Sequence, residues 1–316
     1  MKRLMRKDLL DLQSLSEAEL RLILEHSATF DEVARRPVKK VPSLRGRTVI
    51  NLFFEPSTRT STSFHLAAQR LSADMLDVRV ADSSVKKGET LLDTAATFDA
   101  MGLAVLIMRG PHSGAPALVA KHIKASVINA GDGMHEHPTQ GLLDLFTIQK
   151  HLGSVEGKVV AIVGDVLHSR VARSDVWGLL KLGVKEIRLC GPVTMCPPAM
   201  AEVFKDARVR VTHDLKQALD GADAIQMLRL QLERQARFLF PSTREYSKAY
   251  GLSSEKLAWA KPGAMVMHPG PMNRGLEISS GVADGPQSFI TAQVAHGVAV
   301  RMAVLYLLAG TEGGEA

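Results

Sequence analysis

Residues Phe53 to Phe64 read FFEPSTRTSTSF, with Ser57, Thr58, Thr60, Ser61 and the guanidinium of Arg59 crowded between two apolar runs. The preceding TVINLFF is rich in β-formers and reads as a buried strand. The following STSFHLAAQRL places Phe64, Ala67, Ala68 and Leu71 on one helical face. Ser57 to Thr60 therefore fall at a helix N-terminus, where first-turn amides lack intrahelical partners and the dipole favours an anion. The hydroxyls add donors, and a guanidinium matches the oxygens of a phosphate. One serine there would be an ordinary cap beside a solvated arginine; this density of donors after a buried strand points to a bound anion. No G-x-x-x-x-G-K-[ST] occurs, so the element is not a P-loop.

Other donors follow strand-like runs. Arg109 comes after AVLIM, and His137 and Gln140 bracket a helix start at Pro138 in HEHPTQGLLD. His135 and His137 could be two metal ligands, but no third is evident nearby. Otherwise His137 donates to a carbonyl oxygen and Gln140 contacts an amide or carboxylate. SSVKKGET, with Lys86, Lys87 and Gly88, reads as a polar loop. VGDVLHSRVARS brings Arg170 and Arg173 to a helix start but lacks the G-x-G-x-x-G of a dinucleotide site. Arg229, Gln231 and Arg234 alternate in MLRLQLERQ after a strand. HPGPMNRG is a stiff turn whose Gly270–Pro271 bond could be cis and whose carbonyls could accept from an amide.

Strands and helices alternate along the whole chain, which predicts an α/β protein with doubly wound parallel sheets in two domains and helices on both faces. The boundary is placed at HLGSVEGK, giving residues 1–151 and 152–316. Residues 16–36 read as an amphipathic helix with a Ser16/Glu19 capping box. A last helix, about 288–309 and apolar on one side, is expected to pack back on the first domain.

The 316 residues are 46% hydrophobic and 23% charged, ordinary for a globular protein. The net charge of +6 comes with 5% aromatics and no long Lys/Arg run, which argues against nucleic-acid binding. Only Cys190 and Cys196 occur, so a reducing cytoplasmic setting is expected. Asp8 and Asp11 interrupt the basic N-terminus, which argues against a signal peptide. VAVRMAVLYLLAG is too short for a membrane span and carries Arg301, so none is expected.

Taken in order, FFEPSTRT, SSVKKGE, MRGP, HPTQGLLD, GDVLHSRVARSD, RLQLER and HPGPMNRG resemble the carbamoyltransferase family over about residues 1 to 310. S-T-R-T and H-P-x-Q mark the wider family; R-x-Q-x-E-R and HPGP point to its aspartate branch. Ornithine enzymes usually carry cysteines where this chain has Thr139 and Gly270, and an S-M-G loop that it lacks.

The resemblance implies a first domain for carbamoyl phosphate and a second for L-aspartate, yielding N-carbamoyl-L-aspartate and phosphate early in pyrimidine biosynthesis. Ser57, Thr58, Arg59 and Thr60 would hold the phosphate. Thr60, Arg109 and His137 would polarise the carbamoyl oxygen, while Gln140 and the Gly270 and Pro271 carbonyls grip the amide. Arg170, Arg229 and Gln231 would hold aspartate. Ser83 (Ser84 in an alternative register) and Lys87 would come from a neighbouring subunit, making the catalytic unit a homotrimer. Glu55 would pair with Arg170 and Arg234 when the domains close. No metal or organic cofactor is implied, and larger assemblies with a regulatory or dihydroorotase-like chain occur in the family.

Many members read S-T-R-T-R-x-S-F-E, whereas this chain has Ser61 and His65 in place of that arginine and glutamate. A helix-surface ion pair is thus lost as a unit, and a change in subunit packing or local stability is expected. Two alternatives compete: an enzyme with ornithine or another acceptor amine, and a non-catalytic nucleotide-binding or scaffolding subunit.

Overall fold

The computed structural model describes residues 4–79, 89–230 and 239–309. The chain divides into two compact units, one of Met1–Phe146 with Ala295–Ala316 and one of Thr147–Val294. Unit 1 runs α1 (Glu17–Arg35), β1 (Thr48–Phe53), α2 (Thr58–Arg70), β2 (Asp74–Arg79), α3 (Leu91–Ala100), β3 (Leu103–Gly110), α4 (Ala115–Ala120), β4 (Ser126–Asp132) and the start of α5 (Pro138–Leu152). Unit 2 continues with β5 (Val159–Val163), α6 (Arg170–Lys181), β6 (Glu186–Cys190), α7 (Met200–Phe204), β7 (Val209–Thr212), α8 (Leu215–Leu219) and β8 (Ala224–Met227). It ends with α9 (Thr243–Tyr250), α10 (Ser254–Leu257), β9 (Met265–Met267), α11 (Ser280–Ala283) and the start of α12 (Ile290–Ala309).

All strand pairs are parallel. The order is β2-β1-β3-β4 in unit 1 and β7-β6-β5-β8-β9 in unit 2. Strands sandwiched between helices are covered on both faces, and β4, β5 and β8 are buried at every position.

The Ser16/Glu19 capping box forms as read from the sequence. Arg6, bonded to Glu19, is the main reason that carboxyl is held down to about 2. Upstream, Leu9 exchanges backbone hydrogen bonds with Val127 and Asn129, so the N-terminal segment covers the outer edge of β4. Lys7 donates to the carbonyls of Ala120, the last residue of α4, and of Ile123 beyond it.

The last helix departs from its one-sided expectation. From Val298 to Ala309 nearly every residue is buried. Tyr306 meets His26 and Phe30 of α1, His296 meets Phe146 of α5, and Arg301 lies over the Phe64 ring of α2. Contacts on several faces leave no polar side. By length and composition α12 could cross a membrane, but 78% of its most apolar stretch is buried inside the protein.

Ser61 and His65 have a local role. The Ser61 hydroxyl (3.4 Å) and His65 Nδ1 (2.6 Å) both bond Asp77, which also accepts from Asn51 at 2.6 Å. The missing ion pair is replaced by a tie from α2 to β2.

In unit 2, Cys190 and Cys196 are free and buried, and burial pushes both thiols up to about 12. Next to Cys190, a Cβ at Gly191 would press on the Gly164 carbonyl oxygen, with Cys196 Cβ at 3.4 Å behind it. Backbone cannot yield there as a side-chain end can. Gly191→Ala is expected to cost about 1–3 kcal/mol, read as a lower urea midpoint at constant m.

Candidate active site

In an open parallel sheet, ligands bind beyond the carboxyl ends of the strands, where the winding reverses. In unit 1 the chain leaves β1 through α2 to reach β2 on one side, while β3 leads on to β4 on the other. The reversal lies between β1 and β3. Phe53 and Arg109 are register partners there, at the ends of adjacent strands. The S-T-R-T segment and Arg109 thus leave the sheet side by side.

Ser57 is the N-cap of α2, but its side chain makes no capping bond and the first turn holds no acidic residue. The helix start therefore keeps its dipole uncompensated by a carboxylate of its own. Thr58 and Arg59 are exposed, whereas Thr60 is buried. Arg109 Nη1 reaches the Thr60 hydroxyl and the Ala130 carbonyl, each at 3.4 Å. The Nε of Arg109 lies 3.5 Å from Glu55 Oε2, with both side chains largely enclosed. Glu55, assigned from the resemblance to Arg170 and Arg234, thus has Arg109 beside it within its own unit. No local pattern linked a residue just after β1 to one at the end of β3.

β4 leads into the second junction. His137 is buried, and its carbonyl accepts from the Gln140 and Gly141 amides, which starts α5 at Pro138 as expected. The bend before it is organised by Asp132, which sequence reasoning missed. Asp132 accepts from the Gly114 amide (2.7 Å), Asn129 Nδ2 (2.7 Å), the Glu136 amide (3.2 Å) and His135 Nδ1 (3.1 Å). Burial pushes this carboxyl up, but these bonds outweigh it and hold it below the usual value. The bond to Asp132 in turn raises His135, with burial opposing. His135 is therefore engaged by a carboxylate. Among the described residues no cluster of His, Cys, Asp and Glu could hold a metal ion. One turn into α5, Gln140 Nε2 donates to Asp144 at 3.0 Å.

Unit 2 repeats the logic. The chain passes from β5 to β6 on one side, and from β8 to β9 on the other, so the winding reverses between β5 and β8. Arg170 opens α6 after β5, capped by Ser169, and is buried. Arg229 follows β8 and is half-buried. After neighbouring β9 comes the His268–Pro271 turn, in which the Gly270–Pro271 bond is cis. His268 Nδ1 accepts from the Gly270 amide at 2.8 Å, so its proton is on Nε2, which donates to Glu277 at 3.2 Å. Glu277 Oε1 also accepts from the Asn273 amide at 2.6 Å, so a fully buried pair braces the turn from within. Only its turn residues, not this brace, were legible in the sequence. Ser83, Ser84, Lys87, Gln231 and Arg234 lie outside the described residues.

Residues 7–150 match the aspartate/ornithine carbamoyltransferase carbamoyl-P binding domain, and residues 156–308 match the family's Asp/Orn binding domain. The aspartate carbamoyltransferase catalytic subunit of Moorella thermoacetica is 56% identical over 308 residues, covering 98% of this chain and 99% of the relative. That of an Anaeromyxobacter species is 55% identical over 311 residues, covering 98% of each. Aspartate transcarbamoylase from Trypanosoma cruzi, solved with carbamoyl phosphate, superposes with a TM-score of 0.86 at 30% identity over 96% of both chains. Ornithine carbamoyltransferase from Pyrococcus furiosus superposes at 0.88 with 28% identity, over 99% of this chain and 100% of that one. With both domain models matched along nearly its whole length, the chain belongs to the aspartate/ornithine carbamoyltransferase family.

Proposed function

We propose that this protein transfers the carbamoyl group of carbamoyl phosphate to the amine of L-aspartate, giving N-carbamoyl-L-aspartate and phosphate for pyrimidine biosynthesis in the cytoplasm. The observation that carries the reading is the meeting of Thr60 and Arg109 at the reversal between β1 and β3, beside the open N-terminus of α2.

The phosphate sits on the first-turn amides of α2 with Ser57, Thr58, Arg59 and Thr60 around it. Thr60, Arg109 and His137 donate to the carbamoyl oxygen. Gln140 and the carbonyls of Gly270 and Pro271 take the amide, and Arg170, Arg229 and Gln231 take the carboxylates of aspartate. The aspartate amine forms a bond to the carbonyl carbon, whose oxygen becomes an oxyanion. The bond to the phosphate oxygen then breaks, and the departing phosphate carries off the amine proton. No protein nucleophile is required. Preorganised donors at the oxyanion contribute about 3–4 kcal/mol each, and holding two anions in register lowers the entropic barrier.

Residues 1–151 form the carbamoyl-phosphate domain and residues 152–316 the aspartate domain, with the last helix returning to the first, a reading supported by the matching domain models and by the grouping of Ala295–Ala316 with the first unit. Ser83 and Lys87 reach the site from the neighbouring subunit of a homotrimer, which a regulatory or dihydroorotase-like chain can join. Among acceptors, aspartate is favoured over ornithine by the names of the relatives at 53–56% identity. The Arg229-x-Gln231 pair also suits a second carboxylate.

The test offers the purified chain carbamoyl phosphate with either L-aspartate or L-ornithine and follows the carbamoylated product. Product with aspartate alone is expected. Product with ornithine alone would overturn the acceptor, and no product with either would overturn the activity of the isolated chain. For the shared site, Arg59→Ala and Lys87→Ala chains are each expected to be almost inactive. Trimers reassembled from a mixture should regain activity by uniting unaltered segments of both parents; failure to regain any would remove the neighbour's role.

A further inference from the structure

Gln140 and Asp144 are spaced i, i+4 on one face of α5, and both are buried. The terminal amide of Gln140 touches the carboxylate through both oxygens, at 3.0 and 3.3 Å. A carboxylate only accepts, so the amide nitrogen must be the end that faces it. The opposite end, Oε1, is then the end left to face a ligand, and it is an acceptor. A carbamoyl group carries an N–H2 donor, whereas a simple acyl phosphate such as acetyl phosphate carries none.

We propose that Asp144 is a positioning residue that locks the Gln140 amide with its carbonyl oxygen toward the substrate, so that the site selects acyl phosphates bearing an N–H2 group. This rests on the reading of Gln140 as the contact to the carbamoyl amide.

The lock works only while Asp144 is ionised, because a protonated carboxyl could donate and let the glutamine turn round. A carboxylate this deeply buried needs a compensating charge. The charge of Asp144 is felt by Arg301 of α12, in the same unit. Arg301 is itself buried, donates to the Gly297 carbonyl at 3.0 Å, and lies over the Phe64 ring at 5.0 Å. Burial pulls its guanidinium down to about 10, with the charge of Asp144 opposing that pull. Gly297 makes the room: a Cβ there would stand 2.5 Å from Arg301 Nη1 and 3.2 Å from Leu143 Cδ2.

The discriminating probe is acetyl phosphate, which keeps the carbonyl and the phosphate but has a methyl in place of the amine. Asp144→Asn has the same shape but can donate as well as accept, so it no longer fixes which end of the Gln140 amide faces the substrate. Titration calorimetry on the intact enzyme should show carbamoyl phosphate binding weakened about tenfold or more, with acetyl phosphate unchanged. Gln140→Ala should lose the same preference, and adding Asp144→Asn to it should cost nothing further. Equal weakening of both ligands, or additive losses in the double variant, would show a merely structural role and overturn the proposal. A silent Asp144→Asn beside an impaired Gln140→Ala would sink the proposal alone. A silent Gln140→Ala would sink the Gln140 contact and the proposal together. A further measurement needs no variant. In a structure of the native enzyme with carbamoyl phosphate, Gln140 Nε2 should stay on Asp144 while Oε1 bonds the carbamoyl nitrogen; a glutamine swung away from Asp144 would overturn the idea.

Discussion

Replacing Arg109 by alanine is expected to lower kcat about 10²–10³-fold while carbamoyl phosphate still binds. The guanidinium already engages the Thr60 hydroxyl, the Ala130 carbonyl and Glu55, so its plane is set before substrate arrives. A donor fixed in advance costs no reorganisation when the oxyanion develops, and it gains most at that moment because the charge is then largest. The loss should therefore appear in kcat and kcat/KM together. Arg109→Lys should recover little, because a point charge cannot span three fixed partners and the substrate as a planar fork does. Steady-state kinetics with binding calorimetry checks this, and circular dichroism verifies the fold. A variant with normal kcat and raised KM would move Arg109 from the transition state to uniform substrate binding.

The second large effect is on stability. Asp132→Ala removes the acceptor of the Gly114 amide and of Asn129 Nδ2, both close to 2.7 Å, along with the bonds to His135 and Glu136. Leaving such enclosed donors unpaired should cost about 3 kcal/mol, a fall in Tm of roughly 6–12 °C for a unit of this size. The cost should depend on pH from two sides. Asp132 is depressed in the folded chain. Its contribution is present above the unfolded value of about 3.9 and is lost as pH falls through the lower folded value. His135 is raised. Its contribution is full below about 6.5 and is lost as pH rises through the higher folded value. The gap between native and variant melting temperatures should therefore be widest between roughly pH 4 and 6.5. A gap that stayed flat from pH 3 to 9 would show that these two groups do not stabilise the bend through their charges. The same bend leads into His137, so a moderate loss of kcat should accompany the loss of stability.

Much of the architecture was legible because it rests on short-range rules. The capping box at Ser16 and Glu19 needs only residues three apart. Pro138 at the start of α5 is a local signal of the same kind. The short runs rich in β-formers at 48–53 and 159–163 read as buried strands, and the alternation of such runs with helices along the chain pointed to parallel sheets. The short helices α4, α9, α10 and α11 were not legible, since four to eight residues give periodicity too little length to register.

The site divides along the same line. Residue types and their order along the chain determined by themselves that a donor-rich helix start, an arginine and a histidine follow strands of one domain, and which family that succession resembles. Tertiary structure alone decided which of them meet. Sheet order sets Arg109 against Thr60 and Glu55 across about fifty positions of chain, aims Asp132 at the Gly114 amide, and encloses α12 on several faces so that Arg301 is buried beside Phe64. Local hydrogen bonding and periodicity act over one or two turns and are written in neighbouring residues. Partners brought together by strand order are separated by whole βα units, and no spacing in the sequence encodes their distance.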